Sequence, residues 1–245
     1  PLAAILARAN LAARGYASRS EVVLRDFREG LPKIEGRTLF IGNPPYVRHH
    51  QIEPKWKKWL TDKAASLGLE VSQLAGLHVH FFLATALNAK PGDYGALITA
   101  AEWLDVNYGK IVRELFLSTL GGQAVVVIEP TAAPFPDAAT TAAIMCFDIE
   151  TQPATVRLRR VKRLKDLKDL SGGRQVRRER LEAESRWSRL THGSRDCPAG
   201  YVELGELCRV HRGQVTGANR IWISGEHTEG LPDRVLFPTI TKARE

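Results

Sequence analysis

The chain has 245 residues, 44% of them hydrophobic, and carries 35 Lys and Arg against 27 Asp and Glu, a formal net charge of +8. That length can bury a full α/β core plus part of a second domain, and the basic balance favours a polyanionic partner. Cys146, Cys197 and Cys208 are too few and too irregularly spaced for a disulfide framework or a zinc site, and with no signal peptide and no long apolar run visible, a cytoplasmic location is expected.

Residues 1 to 14 are rich in Ala and Leu at helical spacing and stop at Gly15, and Glu21-Val22-Val23-Leu24 then reads as a short buried strand ending at Asp26. Asp26 itself suits a helix cap or a solvated loop. Next, the apolar run Thr38 to Gly42 reads as a strand that ends abruptly in Asn43-Pro44-Pro45-Tyr46. Proline fixes φ and donates no hydrogen bond, so two prolines after a strand aim a carboxamide and a backbone carbonyl in a fixed direction.

The chemistry that needs such a pair of acceptors is methylation of an exocyclic amine on a planar ring. The lone pair of that amine is delocalised into the ring; acceptors that bind both N–H bonds draw the nitrogen toward tetrahedral geometry and free the lone pair. Asn43 Oδ1 and the Pro44 carbonyl are the candidate acceptors, and Tyr46 is the ring that can stack on a base extruded from a duplex.

Further along, Val47-Arg48-His49-His50 and Lys55-Trp56-Lys57-Lys58-Trp59 mix cations with aromatics, as a loop and helix near phosphates would. Trp56 and Trp59 are three apart and fit the core face of one helix equally well; Arg48 is the better DNA candidate. A helix is expected from Leu77 to Asn88, a turn at Lys90 to Asp93, a strand at Gly95 to Thr99 and a helix from Tyr108 to Leu120. His78 and His80 stand two apart, without the carboxylate or Cys company of a metal site, and read as packing or cofactor-side residues. Strands are expected at Ala124 to Ile128 and Thr141 to Phe147, the intervening loop carrying Phe135 between two prolines. This alternation of helices and strands predicts an α/β fold with a doubly wound, Rossmann-like parallel sheet.

Between Arg157 and Arg189 thirteen Lys and Arg face only five Asp and Glu, either an electrostatic footprint for a phosphate backbone or a solvated helix face. Beyond it, Tyr201 to Leu207 and Val210 to Ile223 form short alternating segments with Gly turns, which read as a β-rich module. The expected division is a catalytic domain at 1–152, a basic connecting segment at 153–195 and the start of a smaller domain at 196–245.

The Asn-Pro-Pro-Tyr motif in this setting resembles the Asn-Pro-Pro-Tyr group of DNA adenine-N6 methyltransferases, in particular the bacterial restriction-modification enzymes with a target-recognition domain after the catalytic one. The resemblance implies S-adenosylmethionine as cofactor, double-stranded DNA as partner and a flipped adenine as target, with a nuclease subunit or fused nuclease domain as a further partner and no metal. It puts Asp26 at the cofactor's adenine, Asn43 beside both cofactor and substrate, Pro44 and Pro45 in the catalytic motif, and Phe135 against the flipped base opposite Tyr46. Arg-Gly-x-Val-Thr-Gly-Ala-Asn is similar to the opening of the family's target-recognition domain, so Arg212, Thr216, Asn219 and Arg220 join Arg48 as candidate DNA contacts. The family's Gly-rich cofactor loop is not in these residues, and a fragment of a larger protein is expected. Protein-glutamine and RNA methyltransferases, which use the same acceptor motif, and a non-catalytic DNA-binding specificity subunit remain the alternatives.

Overall fold

The computed structural model of the chain describes residues 1–32, 35–132, 140–168, 172–192 and 219–238. The chain divides into two compact units, Pro1–Ser194 and Arg195–Glu245.

The first unit is built on one six-stranded sheet. Its strands are β1 (Leu39–Gly42), β2 (Tyr94–Ala100), β3 (Gly122–Ile128), β4 (Ala142–Asp148), β5 (Thr155–Val161) and β6 (Arg174–Arg177), in the spatial order β1-β2-β4-β3-β5-β6. β1 and β2 pair in parallel, as do β3 and β5, whereas β4 and β6 run against their neighbours. The expected α/β class is therefore observed, with a mixed sheet in place of an all-parallel one. β4 inserts between β2 and β3 and runs antiparallel to both.

Helices α1 (Leu2–Ala13), α2 (Pro54–Ser66), α3 (Leu77–Asn88), α4 (Lys110–Leu117), α5 (Arg178–Ala183) and α6 (Ser188–Thr191) complete the unit. α3 is apolar nearly all round and buries Val79, Phe82, Leu83 and Ala86. Together with Ile111, Leu115 and Phe116 of α4 these residues meet Phe40, Leu97, Val125, Val127, Met145 and Leu158, which share one face of the sheet because side chains alternate along a strand. A smaller cluster of Ile128, Ala132 and Ala142, with Ile98 and Ile144 against it, lies apart from this core. Two tight turns rest on glycine: Gly121 has φ +64 and a Cβ there would strike the Asp148 and Thr151 carbonyls, and Gly92 has φ +83 at the corner between Lys90 and Asp93. Buried Asp93 staples that corner by accepting from the backbone N–H groups of Thr38 (2.7 Å) and Lys90 (3.0 Å), which ties the start of β1 to the start of β2.

Two expectations fail here. Glu21 to Leu24 forms no strand: Val23 and Leu24 are 44% and 64% exposed, and four apolar-leaning residues without a pairing partner have nothing to hold them extended. The stretch 153–195 is no mere connector, since β5 and β6 come from it. Its Val156 and Leu158 in β5 and Val176 in β6 supply apolar positions at period two, a signal overwritten by the arginines between them. Several of those arginines are engaged internally: Arg160 pairs with Glu129, Arg163 with Asp166, and Arg178 donates to the Leu117 carbonyl. In the second unit, Asn219–Trp222 is a short helix, α7, where alternation suggested a strand; the rest of the β-rich reading, with Arg212 and Thr216, lies outside the described residues.

Candidate active site

β1 and β2 are parallel, with Gly42 at the end of β1 opposite Leu97 of β2, so the segments that follow them emerge at the same end of the sheet. β3 points the same way, because β2 and β3 both oppose β4. Crevices beyond the carboxyl ends of such strands are where α/β folds bind ligands. One such crevice is present here: a cavity of about 670 Å³ is lined by Asn43, Tyr46, Val47, Arg48 and His49 from the segment after β1, by Ala100 at the end of β2 and Glu102 and Tyr108 beyond it, by Leu74, Gly76 and His78 at the start of α3, and by Thr140 where the chain returns toward β4. That volume suits a planar ring with its substituents.

Asn43 and Tyr46 of the motif both line this cavity. Asn43 is exposed and hydrogen-bonds through its side chain to no described residue, while Pro44 is buried and fixes the backbone behind it. Tyr46 is 45% exposed, and the apolar surroundings of its hydroxyl push its pKa upward. The segment is held from below: the Val47 carbonyl accepts from Leu77 N at 2.9 Å, which closes an otherwise open amide at the first turn of α3. Gly76 makes that approach feasible, since a Cβ there would crowd both the Val47 carbonyl (3.2 Å) and the His78 ring (3.1 Å). Arg48 is exposed at the cavity rim.

The opposite wall was not anticipated. Ala101–Leu104 forms a 3-10 turn whose Ala101 and Trp103 are buried, which turns Glu102 outward into the cavity, and the Tyr108 hydroxyl donates to Glu102 Oε2 at 2.6 Å. The only sequence signal was the position of Glu102-Trp103-Leu104 directly after a strand. Phe135, assigned to the base by resemblance, lies outside the described residues, as do Arg212 and Thr216. Asn219 opens α7 and Arg220 is exposed on it, within the second unit.

Asp26 occupies a second, adjoining place in the sequence. It caps a 3-10 turn at Phe27–Glu29, as its capping alternative implied, and is gripped by Arg28: Oδ1 accepts from Arg28 N (2.9 Å) and Nε (2.8 Å), Oδ2 from Nη2 (2.6 Å). Arg28 in turn lies 3.7 Å over the Trp56 ring. These bonds hold the Asp26 carboxyl below the usual carboxylate range, the Arg28 side chain being the main cause. An Asp26→Asn variant should lose about 2 kcal/mol of stability, the usual worth of hydrogen bonds to charged groups, because the guanidinium, 9% exposed, keeps its burial and loses its partner. Urea denaturation at pH 7 measures it.

His78 and His80 are buried at 6% and 0% exposure, and His80 lies flat against Trp59 with ring centroids 5.9 Å apart. Trp59 thus takes the packing alternative left open by the Trp56–Trp59 spacing. Burial lowers both imidazoles to about 4; at His78 the Glu102 charge works against that shift, and at His80 the Arg28 charge reinforces it. Both rings are neutral at pH 7, whereas an unfolded chain takes up protons at each from pH 6.5 downward. The stability they allow is complete above 6.5 and falls as the pH drops toward 4, by roughly 3 kcal/mol per ring at the lower limit. Urea midpoints across that window should fall steadily, and a His80→Phe variant should show a shallower fall.

Residues 25–128 match the Eco57I restriction-modification methylase family. The matched span begins just before Asp26 and ends with β3, so it contains both walls of the cavity. Over its whole length the chain is 55% identical to the Type II methyltransferase M.XamI from Xanthomonas campestris pv. amaranthicola, and it spans 47% of that protein. Among solved structures it is similar to the type IIG restriction endonuclease BpuSI, with 16% identity, 63% of this chain and 20% of that one covered, and a TM-score of 0.44. It is also similar to the type IIL restriction-modification enzyme MmeI in complex with DNA, at 13% identity, 57% and 18% coverage, and a TM-score of 0.41.

Proposed function

We propose that this chain is the catalytic part of a restriction-modification methyltransferase that transfers a methyl group from S-adenosylmethionine to the N6 amine of an adenine turned out of duplex DNA. The observation that carries this reading is that Asn43 and Tyr46 line one cavity of base-holding size at the carboxyl ends of β1 and β2. The match to the Eco57I methylase family and the identity with M.XamI support it.

In this reading Asn43 Oδ1 and the Pro44 carbonyl accept the two N6 hydrogens, Tyr46 covers one face of the ring, and Phe135 takes the other. Arg48 neutralises backbone phosphate at the rim, and Asn219, Arg220, Arg212 and Thr216 serve recognition of the duplex in the second unit. Phosphate contacts set position on the DNA, whereas base-edge contacts set the sequence.

The residues around Asp26 fit the adenosine end of the cofactor. Three of the four lone-pair positions of the carboxylate are used by Arg28, which leaves one on Oδ2 for an amine donor. The residues flanking Asp26, Arg25 and Phe27, line a cavity of about 400 Å³ together with Glu21, Val23, Leu31 and Pro32, and Phe27 stacks on Phe81 at 5.1 Å. When bound, S-adenosylmethionine supplies a methyl group on a cationic sulfur: the C–S bond breaks as the N–C bond forms, and the surplus proton on nitrogen leaves to water. Asn43, Pro44 and Tyr46 contribute orientation and acceptor placement, with no covalent link to the protein.

The test is transfer of labelled methyl to mixed duplex DNA by the full-length protein, followed by nucleoside analysis. Labelled N6-methyladenine is the expected product. Label in RNA or in protein would replace the assignment by one of its alternatives, label in cytosine would overturn the adenine assignment, and no transfer to any of them would leave a DNA-binding specificity subunit.

A further inference from the structure

The cavity has a wall that the Asn-Pro-Pro-Tyr motif does not provide, and its chemistry is specific. Glu102 stands between buried Ala101 and buried Trp103, and its side chain is directed into the cavity. The Tyr108 hydroxyl, 2.6 Å from Glu102 Oε2, orients the carboxylate, and burial and the carboxylate together push the Tyr108 pKa upward, so this hydroxyl stays a donor. The turn that carries Glu102 is fixed at three points: Trp103 Nε1 donates to Thr99 Oγ1 at 3.1 Å, Arg113 donates to the Trp103 carbonyl, and Ala101 N donates to the Thr141 carbonyl at 2.9 Å. Next to the pair lies His78, its ring 6.2 Å from that of Tyr108, 6% exposed and with Nε2 buried and unpartnered. It is neutral at pH 7 and does not cancel the carboxylate's charge. Of the other titratable groups on the cavity, Tyr46 is neutral, and Arg48 and His49 belong to the rim segment after β1.

Resting on the methyl-transfer reading, we infer that Glu102 stabilises the positive charge that develops on the target base during transfer, with Tyr108 as the residue that positions its carboxylate. The reaction moves a positive charge from sulfur onto the amine and its attached ring. Neither the Asn43 carboxamide nor the Pro44 carbonyl carries a full charge to oppose it, whereas Glu102 does. In the open cavity the carboxylate is exposed and screened; a ring that fills the cavity strips its water and strengthens its field at the step that needs it. A neutral purine in the ground state gains little from the same carboxylate, so the effect belongs to kcat and not to binding.

The experiment uses the full-length protein, a duplex containing its mapped target site, and a second duplex with 2-aminopurine at the methylated position to report base extrusion. Glu102→Gln should lower kcat by about 10-fold to 100-fold, less than loss of a fully enclosed stabilising group, with KM for DNA and 2-aminopurine fluorescence within about twofold of wild type. Glu102→Asp should recover part of the rate, and Tyr108→Phe should lose about threefold to tenfold while the melting temperature confirms folding. A Glu102→Gln enzyme with wild-type kcat, or one whose loss appears in KM or in base extrusion, overturns the inference; if Asn43→Ala still lowers transfer by about 10²–10³-fold in that case, the methyltransferase reading stands. Absence of methyl transfer by the wild-type protein overturns the reading and this inference with it.

Discussion

Replacing Asn43 by alanine is expected to lower methyl transfer by about 10²–10³-fold, the range found when one preorganised polar partner of a transition state is removed. The amine of an adenine is a poor nucleophile because its lone pair belongs to the ring, and the carboxamide is the side-chain half of the device that releases it. Asn43 is exposed and bonds to no described residue through its side chain, so the substitution removes chemistry without disturbing packing, and the melting temperature should stay close to wild type. Pro44, buried behind it, keeps the backbone carbonyl in place, which is why some rate should survive. Duplex binding by mobility shift should be unchanged within about twofold, because Arg48 and the other cations supply the salt-dependent part of that affinity. Asn43→Asp keeps an acceptor at the same point and should retain more activity than the alanine variant. Equal turnover by wild type and Asn43→Ala would remove Asn43 from the reaction and with it the reading of the motif.

Much of this was legible in the residues because local signals and tertiary context agree there. α3 runs from Leu77 to Asn88 as expected, since twelve apolar-rich residues between Gly76 and the Pro91-Gly92 turn have no competing arrangement. The nearness of Asn43 and Tyr46 on one cavity was legible because strand, prolines and aromatic form one short contiguous unit. Glu21 to Leu24 misled because a run of four apolar and acidic residues becomes a strand only with a neighbour to pair with, and pairing is not written locally. β5 and β6 were hidden by charge: Arg157, Arg159, Arg174 and Arg177 dominate the composition, while the buried positions Val156, Leu158 and Val176 carry the fold. The Glu102 wall was hidden for a different reason. Its residues reach the cavity only because β2 lies parallel to β1, and that adjacency joins positions about sixty residues apart.

The same adjacency makes Trp103 the core residue on which the cavity depends most. Trp103→Ala should cost about 3–5 kcal/mol of stability, the range for emptying the space of a large buried aromatic. Its side chain is fully buried, its ring meets Phe82 at 6.4 Å and Trp187 at 6.1 Å edge-on, and its Nε1 satisfies Thr99 Oγ1, itself in β2. Alanine would leave a void too apolar to hold water and would orphan the Thr99 hydroxyl. Collapse from neighbouring turns is limited: Gly109 packs so closely under the Trp103 backbone that even a Cβ there would strike the Trp103 carbonyl, and Trp187 is tied to the same turn by its N–H bond to the Leu104 carbonyl at 2.8 Å. Stability should therefore drop in urea denaturation with an unchanged m-value. Trp103→Phe, which keeps most of the ring and loses the Nε1 bond, should cost about 1–2 kcal/mol and remain folded at 25 °C if the alanine variant does not. In that folded variant the Ala101–Leu104 turn loses one of its three anchors, and Glu102, one residue away, loses definition. A fall in methyl-transfer rate larger than the fall in stability explains would show that the core transmits its packing to the cavity through this turn, whereas an unchanged rate would show that the Arg113 and Thr141 contacts alone suffice to hold Glu102.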